Sequence, residues 1–289
     1  MSKILVTSNC QTGGIASGLK AMLPEYHIEP FPVTRLNAEN ELESLNSILS
    51  TEDIWVSINP RPANVPSSQY IKIPTISFNA FHPDITYAQY ADAQQANHLT
   101  QTHYNSFIAI WMYNHKVDPE DAARLYNHST YKQLGYYGFW NASVDKLRRA
   151  FRDCDLTDKE FDRYMLTMKR RGLFMHSQNH PRIEAIIELC KLIAFRISAS
   201  ETLIHRDIVL PDVLSAIAVW PLYTEIGQEL GLNGDYCWRF NDQEICGLQN
   251  YLAFAFREYR EQGIEPGDLK SHVVIPNAEE ILAKELEAK

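Results

Sequence analysis

Apolar and polar positions alternate in two distinct rhythms along the chain. In the first hundred residues short apolar runs are separated by stripes of helical spacing. Lys3 to Thr7 reads as a strand, and Gly13 to Leu23 as a helix with Ile15, Leu19, Met22 and Leu23 on one side. A second strand is expected near His27 to Phe31. Asn37 fits a helix cap ahead of a Leu42, Leu45, Ile48 and Leu49 stripe. Asp53 to Ile58 and Thr75 to Phe78 read as two further strands, with Pro60, Pro62, Pro66 and Ser67-Ser68 in the loop between them. This βαβαβ rhythm predicts an α/β fold, a parallel sheet in a Rossmann/SGNH-like three-layer core.

From about Asn97 helical spacing takes over. Tyr104, Phe107, Ile108, Trp111 and Met112 form one stripe, and Asp118-Pro119 opens a helix over Glu120 to Tyr126. Thr157-x-x-Glu160 is a capping box, and Gly172 closes the helix that it starts. Leu173 to Met175 has the composition of a strand returning to the sheet. Pro181 is placed at the first position of an amphipathic helix carrying Ile183, Ile186, Ile187, Cys190, Ile193 and Ile197. Helices are also expected at Asp212 to Val219, Leu222 to Leu230, Gln243 to Gln262 and Ala278 to Glu287. The expected organisation is an α/β core over 1–100 and a mainly helical cap over 101–289, packed as one compact unit.

Composition narrows the function classes. Of 289 residues, Lys and Arg number 27 and Asp and Glu 36, a net charge of −9. That balance argues against a general nucleic-acid binder, which needs surplus cations on phosphates. No apolar stretch approaches the ~20 residues of a membrane span. The five cysteines are scattered without a CxxC pair, which suits a reduced cytoplasmic setting, and Cys237 and Cys246 read as packing residues.

Three short runs carry candidate chemistry. Asn9-Cys10-Gln11 lies between the first strand and first helix, where open parallel sheets place ligands. Gly13 and Gly14 allow backbone to approach a ligand, and the helix start favours a thiolate on Cys10. A small buried Cys10 ending a strand is the competing reading. Ala80-Phe81-His82-Pro83-Asp84 follows the expected strand at 75–78. His82 there suits a general base and Asp84 an imidazole orienter; a plain Asx-type turn accounts for the same residues. In His176-Ser177-Gln178-Asn179-His180-Pro181 the histidine spacing is a poor zinc motif, since Ser177 stands where a zincin has glutamate, and no metal site is expected. A helix start at Pro181 would instead put Asn179 and His180 where a phosphate can dock, or where they merely cap the helix. Arg35, Arg61 and Lys72 are further phosphate candidates, or solvated charges. Tyr136 to Trp140 suits base or sugar stacking, a core, or the interface of a homo-oligomer.

Taken in order, Asn9-Cys10-Gln11, Phe81-His82-Pro83-Asp84, His103-Tyr104-Asn105-Ser106, Leu134-Gly135-Tyr136 ahead of Trp140, and Asn179-His180-Pro181 resemble the WcbI-like polysaccharide biosynthesis family. The resemblance runs to about Ala199. It implies a coenzyme A-dependent O-acetyltransferase of capsule or surface glycan assembly, taking acetyl-coenzyme A as donor and a sugar or glycan precursor as acceptor. It implies Cys10 and His82 as the reactive pair, with Asn9, Gln11, Asn179 and His180 lining the cofactor pocket. From the residues themselves, Asp84 is expected beside the pair, and Gly13, Gly14, Arg61 and His176 are further pocket candidates. The family usually has glycine where this chain has Ser8. A cysteine–histidine esterase or thioesterase and a non-catalytic coenzyme A binder are the alternatives.

Overall fold

A computed structural model describes residues 2–35, 41–90, 99–197 and 207–288. The chain forms two compact units that are not split at residue 100. One comprises 1–77, 144–175 and 179–215, the other 78–143, 176–178 and 216–289. Each is therefore assembled from separated stretches of sequence.

The first unit is built on a four-stranded, wholly parallel sheet. Its strands are β1 (Lys3–Thr7), β2 (His27–Pro30), β3 (Ile54–Ser57) and β4 (Gln69–Lys72), in the order β2-β1-β3-β4. β1 and β3 are central and buried almost throughout, which explains their unbroken apolar runs. Leu5 and Trp55 are register partners and share one apolar cluster with Leu45, Leu49 and Val65. Leu45 belongs to helix α2 (Glu41–Ile48); Asn37, its expected cap, lies outside the described residues. Polar groups at the carboxyl ends of β1 and β3 satisfy one another. Trp55 Nε1 donates to Thr7 Oγ1 at 2.9 Å, and Thr7 donates to Ser57 Oγ at 2.8 Å.

Helix α1 (Thr12–Met22) packs closely on a later helix, Ile183–Ile197. A Cβ on Gly14 would meet Ile186 Cδ1 at 2.8 Å, and one on Gly18 would meet Cys190 Sγ at 2.6 Å. The glycines let the two helices approach. Gly18→Ala is therefore expected to destabilise the protein by about 1–3 kcal/mol through overpacking. Urea unfolding checks it; an unchanged midpoint would show that Cys190 moves aside freely.

Thr75–Phe78 is not a strand. Pro74 removes a ladder donor after Ile73. Beyond it the backbone of Ile76 is bonded by the Gln11 side chain instead of a neighbouring strand. Leu173–Met175 likewise stays outside the sheet, making only an antiparallel bridge from Met175 to Pro181.

In the second unit Asn105–Ser106 pairs antiparallel with Ile85–Thr86 and leads into helix α3 (Phe107–Asn114), capped by Ser106 Oγ. The expected helix at Asp118-Pro119 is a 3-10 helix, Pro119–Arg124, capped by Asp118. Helices α4 (His128–Gln133) and α5 (Phe139–Arg152) follow, and the chain passes into the first unit within α5. In the first unit α6 (Asp158–Arg171) starts on the expected Thr157–Glu160 capping box, ends at Gly172, and precedes α7 (Ile183–Ile197).

The later expectations need correction. Asp212 to Val219 is a short 3-10 turn, Val213–Ala216, and a strand, Ala218–Val219. Gln243 to Gln262 is not one helix. Gln243–Cys246 is a strand paired with Cys237–Phe240 across a two-residue turn, in which Asn241 takes φ 52°. Gly247, at φ 94°, breaks the chain into α9 (Leu248–Glu261), after α8 (Thr224–Leu230); α10 (Ala278–Glu287) closes the unit. Cys237 and Cys246 are not packing residues: they are bonded as a disulfide across this hairpin. Trp238 stacks on Tyr251 at 4.0 Å, with Trp220, Tyr223 and Tyr236 around them. No helix among the described residues is long and apolar enough to cross a membrane.

Candidate functional site

The first candidate region lies wholly in the first unit. β1 ends at Thr7 and α1 begins at Thr12, so Ser8–Gln11 leave the carboxyl edge of the sheet. Ser8 is buried; its carbonyl accepts Val33 N–H and the Thr12 hydroxyl. Asn9 Oδ1 accepts the Gln11 N–H at 3.1 Å and faces Cys10 Sγ at 3.8 Å. Cys10 is exposed. Partial burial nevertheless pushes its thiol above the ordinary value, a backbone hydrogen bond opposing the shift. The expectation of a favoured thiolate is thus reversed: atoms crowding the sulfur disfavour charge even though the residue reaches solvent. Alkylation of Cys10 by iodoacetamide, followed by peptide mass spectrometry, should show a pH midpoint above that of a free cysteine. A midpoint below it would restore the helix-start argument.

Gln11 faces inward. Its Nε2 donates to Ile76 O at 2.8 Å and Asn179 O at 3.2 Å, while Oε1 accepts Ile76 N–H at 3.2 Å. The side chain thus joins the loop after β1 to segments near residues 76 and 179, and does not cap α1. No acidic residue sits in the first turn of α1, and space beside the exposed Gly13 is open. Gly14, by contrast, is buried against Ile183 and Ile186, so its smallness serves helix packing.

The start of α7 differs from expectation. Helical residues begin at Ile183, so Asn179 and His180 precede the first turn. Ile183 N–H is bonded by Asp212 Oδ2 at 3.2 Å. A carboxylate there answers the positive end of the helix and repels a phosphate. His180 is buried in this unit, whereas His176 and Ser177 belong to the second. Arg61 folds back on its own loop, donating to Val65 O at 2.9 Å and Ser67 O at 3.4 Å.

The second candidate region lies in the second unit. His82 follows a 3-10 turn, Asn79–Phe81, and is only 2% exposed. The Phe81 ring meets it edge-on, and Trp140 packs against Phe78 and Phe81. Asp84 is buried at a hub. Its Oδ1 accepts the Tyr136 hydroxyl at 2.8 Å and Ile108 N–H at 3.2 Å, and its Oδ2 accepts the Tyr223 hydroxyl at 2.8 Å. Burial raises the carboxyl to about 6, against hydrogen bonds from Ser106, Tyr136, Tyr223 and the Ile108 amide. Ser106 Oγ in turn meets Tyr126 Oη at 2.6 Å. Asp84 thus anchors the start of α3 and holds two tyrosines directly, with Tyr126 reached through Ser106.

Sequence reading missed Asp212 at α7, Ile76 under Gln11, and the tyrosines around Asp84. No local signal marks the first two. Tyr136 was visible as part of an aromatic run and of the Leu134-Gly135-Tyr136 motif, but not as a partner of Asp84.

A family model described as polysaccharide biosynthesis enzyme WcbI matches residues 3–202. No curated protein matches the chain. Among solved structures, one of WcbI aligns with a TM-score of 0.65 at 14% identity, over 98% of this chain and 94% of that one. It is described as a novel polysaccharide biosynthesis enzyme, native, without a disulfide between coenzyme A and a cysteine. At that identity the likeness is one of fold.

Proposed function

Because the chain belongs to the WcbI family of polysaccharide biosynthesis enzymes, we propose that it transfers an acetyl group from acetyl-coenzyme A to a hydroxyl of a sugar or glycan precursor. The observation that carries this reading is the exposed Cys10 thiol in the loop from β1 to α1. Coenzyme A and a cysteine of the structurally similar WcbI are named together in its description, which supports placing the thioester end near Cys10. The start of α1 fits the anionic part of such a substrate, having no acidic residue in its first turn and open space at Gly13. The Asp212-capped start of α7 does not.

The donor supplies an activated acetyl thioester. In this proposal His82 removes the proton of the acceptor hydroxyl as its oxygen attacks the acetyl carbon. The carbon–sulfur bond breaks, and the proton passes to the departing thiolate. Cys10 positions the thioester. The raised Cys10 thiol supports this direct route, since a cysteine-bound acetyl group would first need a base to take the Cys10 proton.

Calorimetric titration with coenzyme A and with dephospho-coenzyme A tests the reading. Micromolar binding that weakens without the 3′-phosphate is expected; no binding of either overturns it. Cys10→Ala is expected to keep kcat within about tenfold while raising KM for acetyl-coenzyme A. Complete loss of transfer would instead assign Cys10 as the acetyl carrier.

The proposal places the reaction in the cytoplasm, where the sugar precursors and donor are made. There the Cys237–Cys246 pair would be reduced, whereas an oxidising compartment keeps it closed. Titrating thiols in denatured protein from its native cells decides. All five cysteines reacting supports the cytoplasm, and only Cys10, Cys154 and Cys190 reacting argues against it.

A further inference from the structure

A cleft of about 610 Å³ opens in the second unit between the ends of α3 and α9. It contains none of the candidate site residues considered above. Its apolar lining comes from Tyr113, Phe256 and Ile264, all largely buried. Two cations, Lys116 and Arg260, stand exposed at its edge.

The walls are held in place. Tyr113 donates its hydroxyl to Ile264 O at 2.6 Å. Asn114 Nδ2 donates to Leu269 O at 2.7 Å, and its Oδ1 accepts Gly267 N–H at 3.0 Å. The loop after α9 is thereby tied to the end of α3, so a ligand would meet a preformed surface.

The charges are disposed unevenly. On α9, Glu258 and Glu261 pair with Arg257. Among the described residues Lys116 and Arg260 have no carboxylate within 4.0 Å, on a chain whose net charge is −9. Of the two acids at the cleft, Asp118 is engaged by Glu120 N–H at 2.9 Å. Glu265, exposed in the lining, can accept hydrogen bonds from hydroxyls. Cations for a carboxylate, apolar surface for ring C–H faces and an acceptor for hydroxyls match an acidic saccharide. The open form of the cleft suits a segment of chain.

We propose that this cleft binds an acidic saccharide segment of the acceptor, with Lys116 and Arg260 holding a sugar carboxylate. The inference rests on the glycan-directed reading above and narrows its substrate class. Titration of the whole protein with tri-galacturonic acid, and with its neutral methyl ester, tests it. The acid should bind and the ester should not. A Lys116→Gln/Arg260→Gln double variant should weaken acid binding roughly tenfold or more. Both residues are exposed, so the variant should melt as the parent does.

Equal binding of acid and ester, or an unaffected variant, overturns the proposal. So does a variant that loses coenzyme A binding while the acid binds as before, because the cations would then serve phosphates. No acid binding by a parent protein that does bind coenzyme A overturns this inference alone. Acid binding without any coenzyme A binding leaves the cleft standing and removes the acetyl donor.

Discussion

Asp84→Ala is expected to cost on the order of 5 kcal/mol of stability, enough to unfold many domains of ordinary stability. The alanine removes the acceptor for the Tyr136 and Tyr223 hydroxyls and the Ile108 amide at once. Each donor is left buried and unpaired, and the lost volume adds a cavity. Asp84→Asn keeps the shape and one acceptor, so it should fold and can be compared with the parent across pH. Since burial holds the folded carboxyl near 6, above its unfolded value, its protonated form is favoured by folding. Its contribution to stability is complete below the unfolded pKa and is lost as pH rises through about 6. Between pH 7.5 and 5, the parent should gain about 1 kcal/mol relative to Asp84→Asn. Urea unfolding of both proteins at the two pH values checks this. A difference independent of pH would mean that the carboxyl stays ionised throughout.

The second large effect concerns His82. His82→Gln should lower kcat for acetyl transfer by roughly two to four orders of magnitude, the usual worth of a positioned base. Coenzyme A affinity should stay within about threefold, as expected for a group acting on the reacting atoms alone. Added imidazole should restore part of the rate. A purely structural role would show up as a lowered melting temperature with no rescue by imidazole. Transfer retained within tenfold would remove His82 from the mechanism.

Local patterns were readable from sequence, and remote partners were not. The β1 run, the α1 stripe, β2, β3, the Thr157–Glu160 box and the Gly172 stop all depend on neighbours within a few positions. Thr75–Phe78 has strand composition, yet its fate was decided by Gln11, 65 residues from Ile76. The start of α7 looked like an anion site until Asp212, 29 residues downstream, was found bonded to it. Asp84 was legible as a candidate but not as a hub, because Tyr136 and Tyr223 lie 52 and 139 residues away. The Cys237–Phe240 strand does alternate, with Trp238 and Phe240 inward. Its partner strand carries only Ile245 inward, too little to separate it from the helix that follows.

The Gln11 amide has a consequence for which genetic changes the chain can tolerate. It both donates and accepts, so neither a pure donor nor a pure acceptor of the same size can replace it. Glutamate is its nearest match in shape and the worst in polarity, since a carboxylate oxygen would then face the carbonyls of Ile76 and Asn179. Glutamine and glutamate codons differ by one base. Gln11→Glu is therefore among the most accessible changes to this gene, and among the least tolerable to the loop that presents Cys10.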